Sequence, residues 1–251
     1  MLDTPTKEMG LTRQLRDGVL WLAFDRMRAS NAIDAALSQA FAAALAAAAK
    51  DAMVVAVVMT GAGDKVFSAG IDVKNPQSLE HAALAAQRRE TVAACLYAII
   101  EFQKPLVAAV NGPAIGLGCM LALLADQAIA AGHAAFALPE INIGIPTFLG
   151  ASIVTRAAGA ALARELVHTG RRMDAVEARQ HNLVSAIVNA DELAAAAQLA
   201  AQTLAAKPQA AYALNKRWLA RGLREEFDAA NAASQAAQPQ LAADHERRQR
   251  H

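Results

Sequence analysis

The chain has 251 residues, a formal net charge of +1 and 55% hydrophobic residues. This length suits one large α/β domain. The near-neutral charge gives no global pull toward nucleic acid or an acidic membrane, and no apolar run reaches the length of a membrane span, the longest being alanine helices broken by Gln, Lys or Asp.

The N-terminus, MLDTPTKEMG, lacks the basic-then-apolar layout of a secretory signal. Residues 11–24 alternate polar and apolar around Asp17-Gly18, which predicts a β-hairpin. Leu37, Phe41 and Leu45 lie four apart and predict a helix over 34–49. Met53–Thr60 is a continuous β-branched run, expected of a strand covered on both faces. A glycine loop, GAGDKVFSAGID, follows it, and then a predicted helix over 79–101. Leu106–Val110 is a second buried strand, and its own glycine turn, NGPAIGLG, opens another helix. Short strands are predicted at Ala125–Ala131 and Ala135–Leu138, split by Gly132-His133. Beyond residue 150 the pattern is helical throughout, near 151–157, 160–168, 174–181, 191–206 and 208–220. From Asn231 a polar tail with a terminal charge cluster suits a solvated helix end.

Buried strand, glycine turn and helix thus occur in that order twice. Side by side, the two units put both glycine turns at one edge of a sheet, where open α/β sheets bind ligands. The loops do not fit phosphate motifs: GxxxxGK[ST] and GxGxxG are both absent, as are GxSxG and HExxH. The histidines are scattered, so no metal site is expected. Cys95 and Cys119 fit free thiols in a reducing compartment, hence a cytoplasmic protein. Cys119 lies near a helix N-terminus, but no histidine is near it in sequence, and a small buried hydrophobe is the simpler account.

Three segments carry chemistry: Phe67–Asp72 (FSAGID), Asn111–Gly118 (NGPAIGLG) and Phe136–Gly144 (FALPEINIG). The first two offer backbone N–H groups at turns, and a pair aimed at one carbonyl oxygen would stabilise an enolate. The third offers Glu140 in an apolar stretch, where a carboxylate has a raised pKa suited to proton transfer.

These blocks resemble the signature of the crotonase superfamily, the enoyl-CoA hydratase/isomerase family. Lys104–Gly118 is similar to its KP-x-x-AAVNG-x-A-x-G-x-G run and Phe67–Asp72 to its AGxD loop. Phe136–Pro146 matches F-x-x-PE-x-x-x-G-x-P, and Asp25–Ala32 its early Arg…Asn-Ala segment. Thr169–Ala178 matches TG-x-x-x-x-A-x-EA. The resemblance implies a spiral of ββα/βαβ units, an α/β fold spanning 1–190. A helical C-terminal region, 191–251, would serve as a trimerisation or lid element, in a homotrimer or dimer of trimers. It implies an acyl-CoA thioester substrate, with no metal or redox cofactor. By position, the backbone N–H groups of Ile71 and Leu117 would be the oxyanion donors and Glu140 the catalytic acid–base. Arg28, Ala29, Ala69 and Asp72 would hold the CoA, with Gly70 and Gly116 beside them.

One departure matters. Family hydratases carry a second glutamate where this chain has Met120, which can neither donate nor accept a proton usefully. One carboxylate suffices to move a proton between carbons, so the expected reaction is isomerisation of a 3-enoyl to a 2-enoyl thioester. The alternatives are hydration or thioester hydrolysis with another polar group, or a silent acyl-CoA-binding scaffold. Met120 and Thr147 are candidates for the acyl pocket wall, although core filling explains Met120 and a helix N-terminus explains Thr147 equally well. Asp72 and Asp126 are expected to fix loops by hydrogen bonds. Arg88, Arg89, Lys216, Arg217 and Arg247–Arg250 are expected to be exposed helical charges, available to CoA phosphates but needing no such role.

Overall fold

A computed structural model describes residues 4–72 and 82–249. Residues 79–81 of the expected 79–101 helix, and Arg250, lie outside this range. The chain opens with β1 (Thr6–Glu8), β2 (Leu11–Arg16) and β3 (Val19–Phe24). The β2–β3 hairpin turns at Asp17-Gly18, whose φ values of 46° and 80° are the paired positive angles of a tight hairpin turn. Parallel strands β4 (Ala56–Gly61), β5 (Leu106–Val110), β7 (Gln127–Ala131) and β10 (Ala186–Val188) complete a seven-stranded sheet in the order β1-β2-β3-β4-β5-β7-β10.

Side-chain alternation sorts this sheet into two faces. Leu22, Phe24, Val57, Met59, Leu106, Ala108 and Val110 bury against α1 (Ala35–Lys50) and α2 (Ala82–Glu101). Asp34 caps α1 by accepting the Leu37 N–H at 2.9 Å, and Leu37, Phe41 and Leu45 reach the core as their spacing predicts. The alternate residues Val19, Trp21, Ala56, Val58, Val107 and Ala109 face α7 (Leu193–Ala205), which presents Leu193, Ala197 and Ala201 along one stripe. Helices on both faces explain why β4 and β5 carry uninterrupted apolar runs.

A second sheet of three short strands, β6 (Ala114–Ile115), β8 (Ala135–Ala137) and β9 (Arg172–Asp174), stands at the C-terminal edge of the first. Between and after these strands come α3 (Leu117–Leu124), α4 (Phe148–Ala158), α5 (Ala160–Thr169) and α6 (Ala175–Gln180). The region past residue 150 is therefore not wholly helical: β9 and β10 were not expected. Each is only three residues long and exists through pairing with a strand distant in sequence. The C-terminus forms α8 (Gln209–Leu219), α9 (Leu223–Ala236) and α10 (Gln238–Gln249). The α9 helix buries Leu223, Phe227 and Ala230, so the C-terminal part packs on the core from well before Asn231.

Lys216, expected on the surface, is instead mostly buried. Its Nζ lies 2.7 Å from Asp126 Oδ2, with side-chain exposures of 10% and 18%, and also donates to the Lys104 carbonyl at 3.0 Å. Asp126 accepts the Leu106 N–H at 2.8 Å too, so one carboxylate ties α8 to the start of β5. Burial lowers the Lys216 pKa, against the pull of Asp126. Removing the acid leaves the buried ammonium without its counter-charge, held by the Lys104 carbonyl alone, and takes the acceptor from the Leu106 N–H. Asp126→Ala is therefore expected to lower unfolding free energy by about 3 kcal/mol in urea titration, whereas changes at the exposed Arg217 should leave it within about 0.5 kcal/mol.

Candidate active site

The two glycine turns meet at the edge where β4 and β5 end. Asn111 locks them together: its Oδ1 accepts the Gly61 N–H at 3.0 Å and its Nδ2 donates to the Gly61 and Gly63 carbonyls, each at 2.9 Å. Isolated parallel bridges then thread the 67–72 loop between two neighbours, Ser68 pairing with Ala114 and Ile71 with Ile33. The second bridge uses Ile33 N–H to Gly70 O (2.7 Å) and Asp72 N–H to Ile33 O (3.0 Å). The Ile71 N–H, between those bonds, is turned away from Ile33. On the other side, Gly70 packs on the second turn. A Cβ at Gly70 would stand 2.7 Å from Ile115 O and 3.4 Å from Leu117 N, and its φ of 88° favours glycine in any case. Leu117 opens α3, so its N–H has no intrahelical acceptor and carries the positive end of the helix dipole.

Strand register delivers the acid to the same place. In the parallel β6–β8 pair Ile115 lies opposite Ala137, and the Gly116 N–H donates to Ala137 O at 2.8 Å. Glu140 follows three residues later, in a 3₁₀ turn over Pro139–Ile143 with Pro139 at its start. The Gly144 and Ile145 N–H groups fold back onto the Glu140 carbonyl. The Glu140 carboxyl lies against Gly116: a Cβ there would be 3.0 Å from Oε1. Its Oε2 is enclosed with no hydrogen-bond partner among the described residues. Burial pushes the carboxyl pKa up to about 7, against a smaller opposing effect of its own backbone N–H.

Met120, in the first turn of α3, is 5% exposed and belongs to the main core cluster. Cys119 beside it is buried. Burial first, and then the charge of Glu140, push its pKa up to about 12, so it stays a thiol and is no nucleophile. Thr147 occupies the N-cap position of α4, yet its side chain makes no capping bond, and its Oγ1 is buried without a partner among the described residues. A helix N-terminus therefore does not account for that hydroxyl.

The proposed CoA-side residues cluster separately. Arg28 and Ala29 lie on a 3₁₀ turn over Met27–Ala29, beside a groove of about 520 Å³ lined also by Lys7, Asp25 and Arg26. The Ala69 N–H donates to Ser30 O at 3.0 Å, which joins this turn to the 67–72 loop. Asp72 pairs with Arg26 Nη2 at 2.7 Å, and Arg26 also meets Ala32 O (2.6 Å) and Asp34 (3.1 Å). Arg26 and the buried Asn31, whose Nδ2 donates to Ala62 O and Val66 O, are positioning residues to which sequence reasoning assigned no task. The signal was the Arg26…Asn31 spacing before a turn, and Asn31 adopts a positive φ of 54°. On the outer side, Gly170 packs against Ile141 and Asn142, while Arg171 pairs with Glu165 and Glu177, so the 169–178 block braces the turn that carries Glu140. Among the described residues no group of His, Cys, Asp and Glu is arranged to hold a metal ion, and no helix is long and apolar enough to cross a membrane.

The geometry can be set beside known proteins. A family profile described as enoyl-CoA hydratase/isomerase matches residues 14–250. The chain is 40% identical over 207 residues to the carnitinyl-CoA dehydratase of Salmonella arizonae, covering 81% of this chain and 78% of that one. It is 37% identical over 236 residues to the 2,3-dehydroadipyl-CoA hydratase of Escherichia coli, with 93% and 88% coverage. The solved structure of an enoyl-CoA hydratase/isomerase from Mycobacterium paratuberculosis superposes with a TM-score of 0.83 at 27% identity, covering 94% of each chain. The mixed α/β fold with its C-terminal helices is that of these structures, and the chain belongs to the enoyl-CoA hydratase/isomerase (crotonase) family of acyl-CoA enzymes.

Proposed function

We propose that this protein isomerises an unsaturated acyl-CoA, moving a double bond from the 3- to the 2-position. The observation that carries this is Glu140: a carboxyl raised to about pH 7 by burial, set against Gly116, with apolar Met120 on the helix that opens there. As carboxylate it removes a proton from C2 of the thioester. The resulting enolate oxygen is held by the Ile71 and Leu117 N–H groups, and the same carboxyl returns the proton to C4. Proton out and proton in balance, so one acid is enough and no water takes part. In this reading Arg28, Ala29, Ala69 and Asp72 hold the CoA, supported by Arg26, which ties the Asp72 loop to the segment after the 27–30 turn. The exposed Leu214, Trp218 and Leu219 on α8 suit association of the C-terminal region, 191–251, into a cytoplasmic homotrimer or dimer of trimers.

A second reading, hydration, has one observation in its favour: the enclosed, unpartnered Thr147 Oγ1 is a polar group that can hold a water in place of the missing acid. The names of the relatives, a dehydratase and a hydratase, point the same way. Purified protein incubated separately with 3-enoyl-CoA and 2-enoyl-CoA separates the two. Isomerisation predicts conversion of the 3-enoyl ester to the conjugated 2-enoyl ester, seen by its absorbance, and no loss of that absorbance from the 2-enoyl ester. Rapid consumption of the 2-enoyl ester with a 3-hydroxyacyl product would overturn it.

A further inference from the structure

Arg89 breaks the apolar pattern of α2. It stands seven residues, two helical turns, before Leu96, and so points along the same line of the helix. That line borders the buried face of the helix: Val92 packs on the main cluster and Leu96 and Ile99 are buried, as are Thr91 and Cys95 on the line of Arg88. The neighbouring line of α2 meets α9, through Tyr97 against Phe227, Asp228 and Asn231. The cluster below contains Leu117, Met120 and Leu121 of α3, Ile153 and Val154 of α4, and Phe227 of α9. Arg89 therefore lies beside the core on a helix whose neighbours include α3 and α9.

Its height along the helix follows from topology. Strands β4 and β5 are parallel, so α2, which connects them, runs antiparallel to both and begins at their C-terminal edge. Arg89 lies twelve residues before Glu101, the end of α2, or roughly 18 Å up the helix at 1.5 Å per residue. The five residues of β5 span about 17 Å. Arg89 is thus level with the strand end, where the turns holding Leu117 and Gly116 lie. Half-buried, it has Nη1 enclosed without a hydrogen-bond partner, and among the described residues no carboxylate pairs with it. Arg88 Nη1, on the other flank, is enclosed in the same way, but Arg88 makes a further interaction of its own. An enclosed guanidinium nitrogen without an acceptor is costly, and an apolar residue at this position would pack on the cluster at no such cost.

We infer that Arg89 is an anion subsite at the acyl end of the cleft, and that the substrate is an acyl-CoA whose chain ends in a carboxylate. This rests on the acyl-CoA reading above but not on which reaction Glu140 performs. A planar guanidinium suits bidentate capture of a carboxylate, and the distance set by the cleft would select chain length.

Binding without turnover tests it. Saturated succinyl-, glutaryl- and adipoyl-CoA, each beside its monocarboxylic counterpart, and free CoA are titrated calorimetrically into the full chain, Arg89→Met and Arg89→Lys. At least one dicarboxylic thioester should bind the unaltered protein about 30-fold tighter than its counterpart, a preference that Arg89→Met abolishes and Arg89→Lys keeps in part. Affinity for free CoA and the monocarboxylic thioesters should be unchanged in Arg89→Met, which also reports that the variant is folded. Equal affinities for the two acyl series in the unaltered protein would overturn the inference. So would a parallel loss of free CoA binding in Arg89→Met, which would assign the anion to a CoA phosphate. Because these thioesters carry no double bond, discrimination among them stands even if isomerisation fails, and isomerisation of a neutral enoyl chain stands even if discrimination is absent.

Discussion

Glu140→Gln should abolish isomerisation, lowering kcat by roughly a thousand-fold, while leaving affinity for a saturated acyl-CoA within about twofold of the unaltered protein. The amide keeps the shape and fills the same space beside Gly116, but cannot take up a proton. The pH profile carries a second expectation. The reactive form is the carboxylate, and burial has raised its pKa to about 7. Activity on kcat/KM should therefore rise with pH through an apparent pKa near 7 and level off above it, rather than being flat from pH 5 upward as for an ordinary exposed glutamate. Unchanged turnover in Glu140→Gln would remove the acid from the mechanism.

The same raised pKa makes a stability statement. The folded state holds the Glu140 proton up to about pH 7, whereas the unfolded chain releases it near the ordinary value of 4.5. Between those values the native state binds more protons than the unfolded one, so stability falls as pH rises through that window. The full loss is roughly 3 kcal/mol above pH 8. Glu140→Gln has no such titration. Its urea midpoint should match that of the unaltered protein near pH 4.5 and exceed it at pH 8. An inactive variant that is more stable than its parent at high pH marks a group held in the fold for chemistry rather than for packing.

How far the sequence reveals this site depends on where each feature gets its stability. Met53–Thr60 and Leu106–Val110 could be recognised as buried strands because both faces are covered, one by α1 and α2 and the other by α7, so no polar residue interrupts either run. Asp17-Gly18 was legible because positive φ at successive positions leaves few residue choices. The glycine turns and Glu140 were visible as motifs, but their meeting was not. It depends on β6 and β8, strands of two and three residues whose register comes only from pairing across about twenty residues of chain. Lys216 and Arg89 depart from expectation for a shared reason. A charged residue on a helix is usually solvated, and only tertiary packing shows that one reaches Asp126 and that the other is half-buried with an enclosed nitrogen. For Thr147 the sequence leaves a pocket wall and a helix N-terminus equally open, and the side chain makes no capping bond.

Gly116→Ala is expected to lower kcat by about a hundred-fold or more, with a smaller effect on binding of a saturated thioester. Gly116 adopts φ 54° and ψ −120°, a conformation open to glycine and strained for any residue with a Cβ. The added methyl would also stand 3.0 Å from Glu140 Oε1 and 4.0 Å from the Gly70 Cα. Two elements then compete for one space, the carboxylate and the turn that opens α3, with the 67–72 loop in ordinary contact beside them. If the turn yields, the Leu117 N–H rotates away from the oxyanion position. If the carboxylate yields, it leaves the carbon it must deprotonate. Both routes reduce kcat, and the pH profile separates them, because a displaced carboxylate gains solvent and its apparent pKa falls from about 7 toward 4.5, whereas a rotated N–H leaves it in place. Relief of strain in the unfolded state predicts a stability loss of about 1–3 kcal/mol in urea titration at pH 6. A Gly116→Ala protein with full activity would mean that the carboxylate and the two amides do not share one pocket. The enolate mechanism would then lose the geometry it requires.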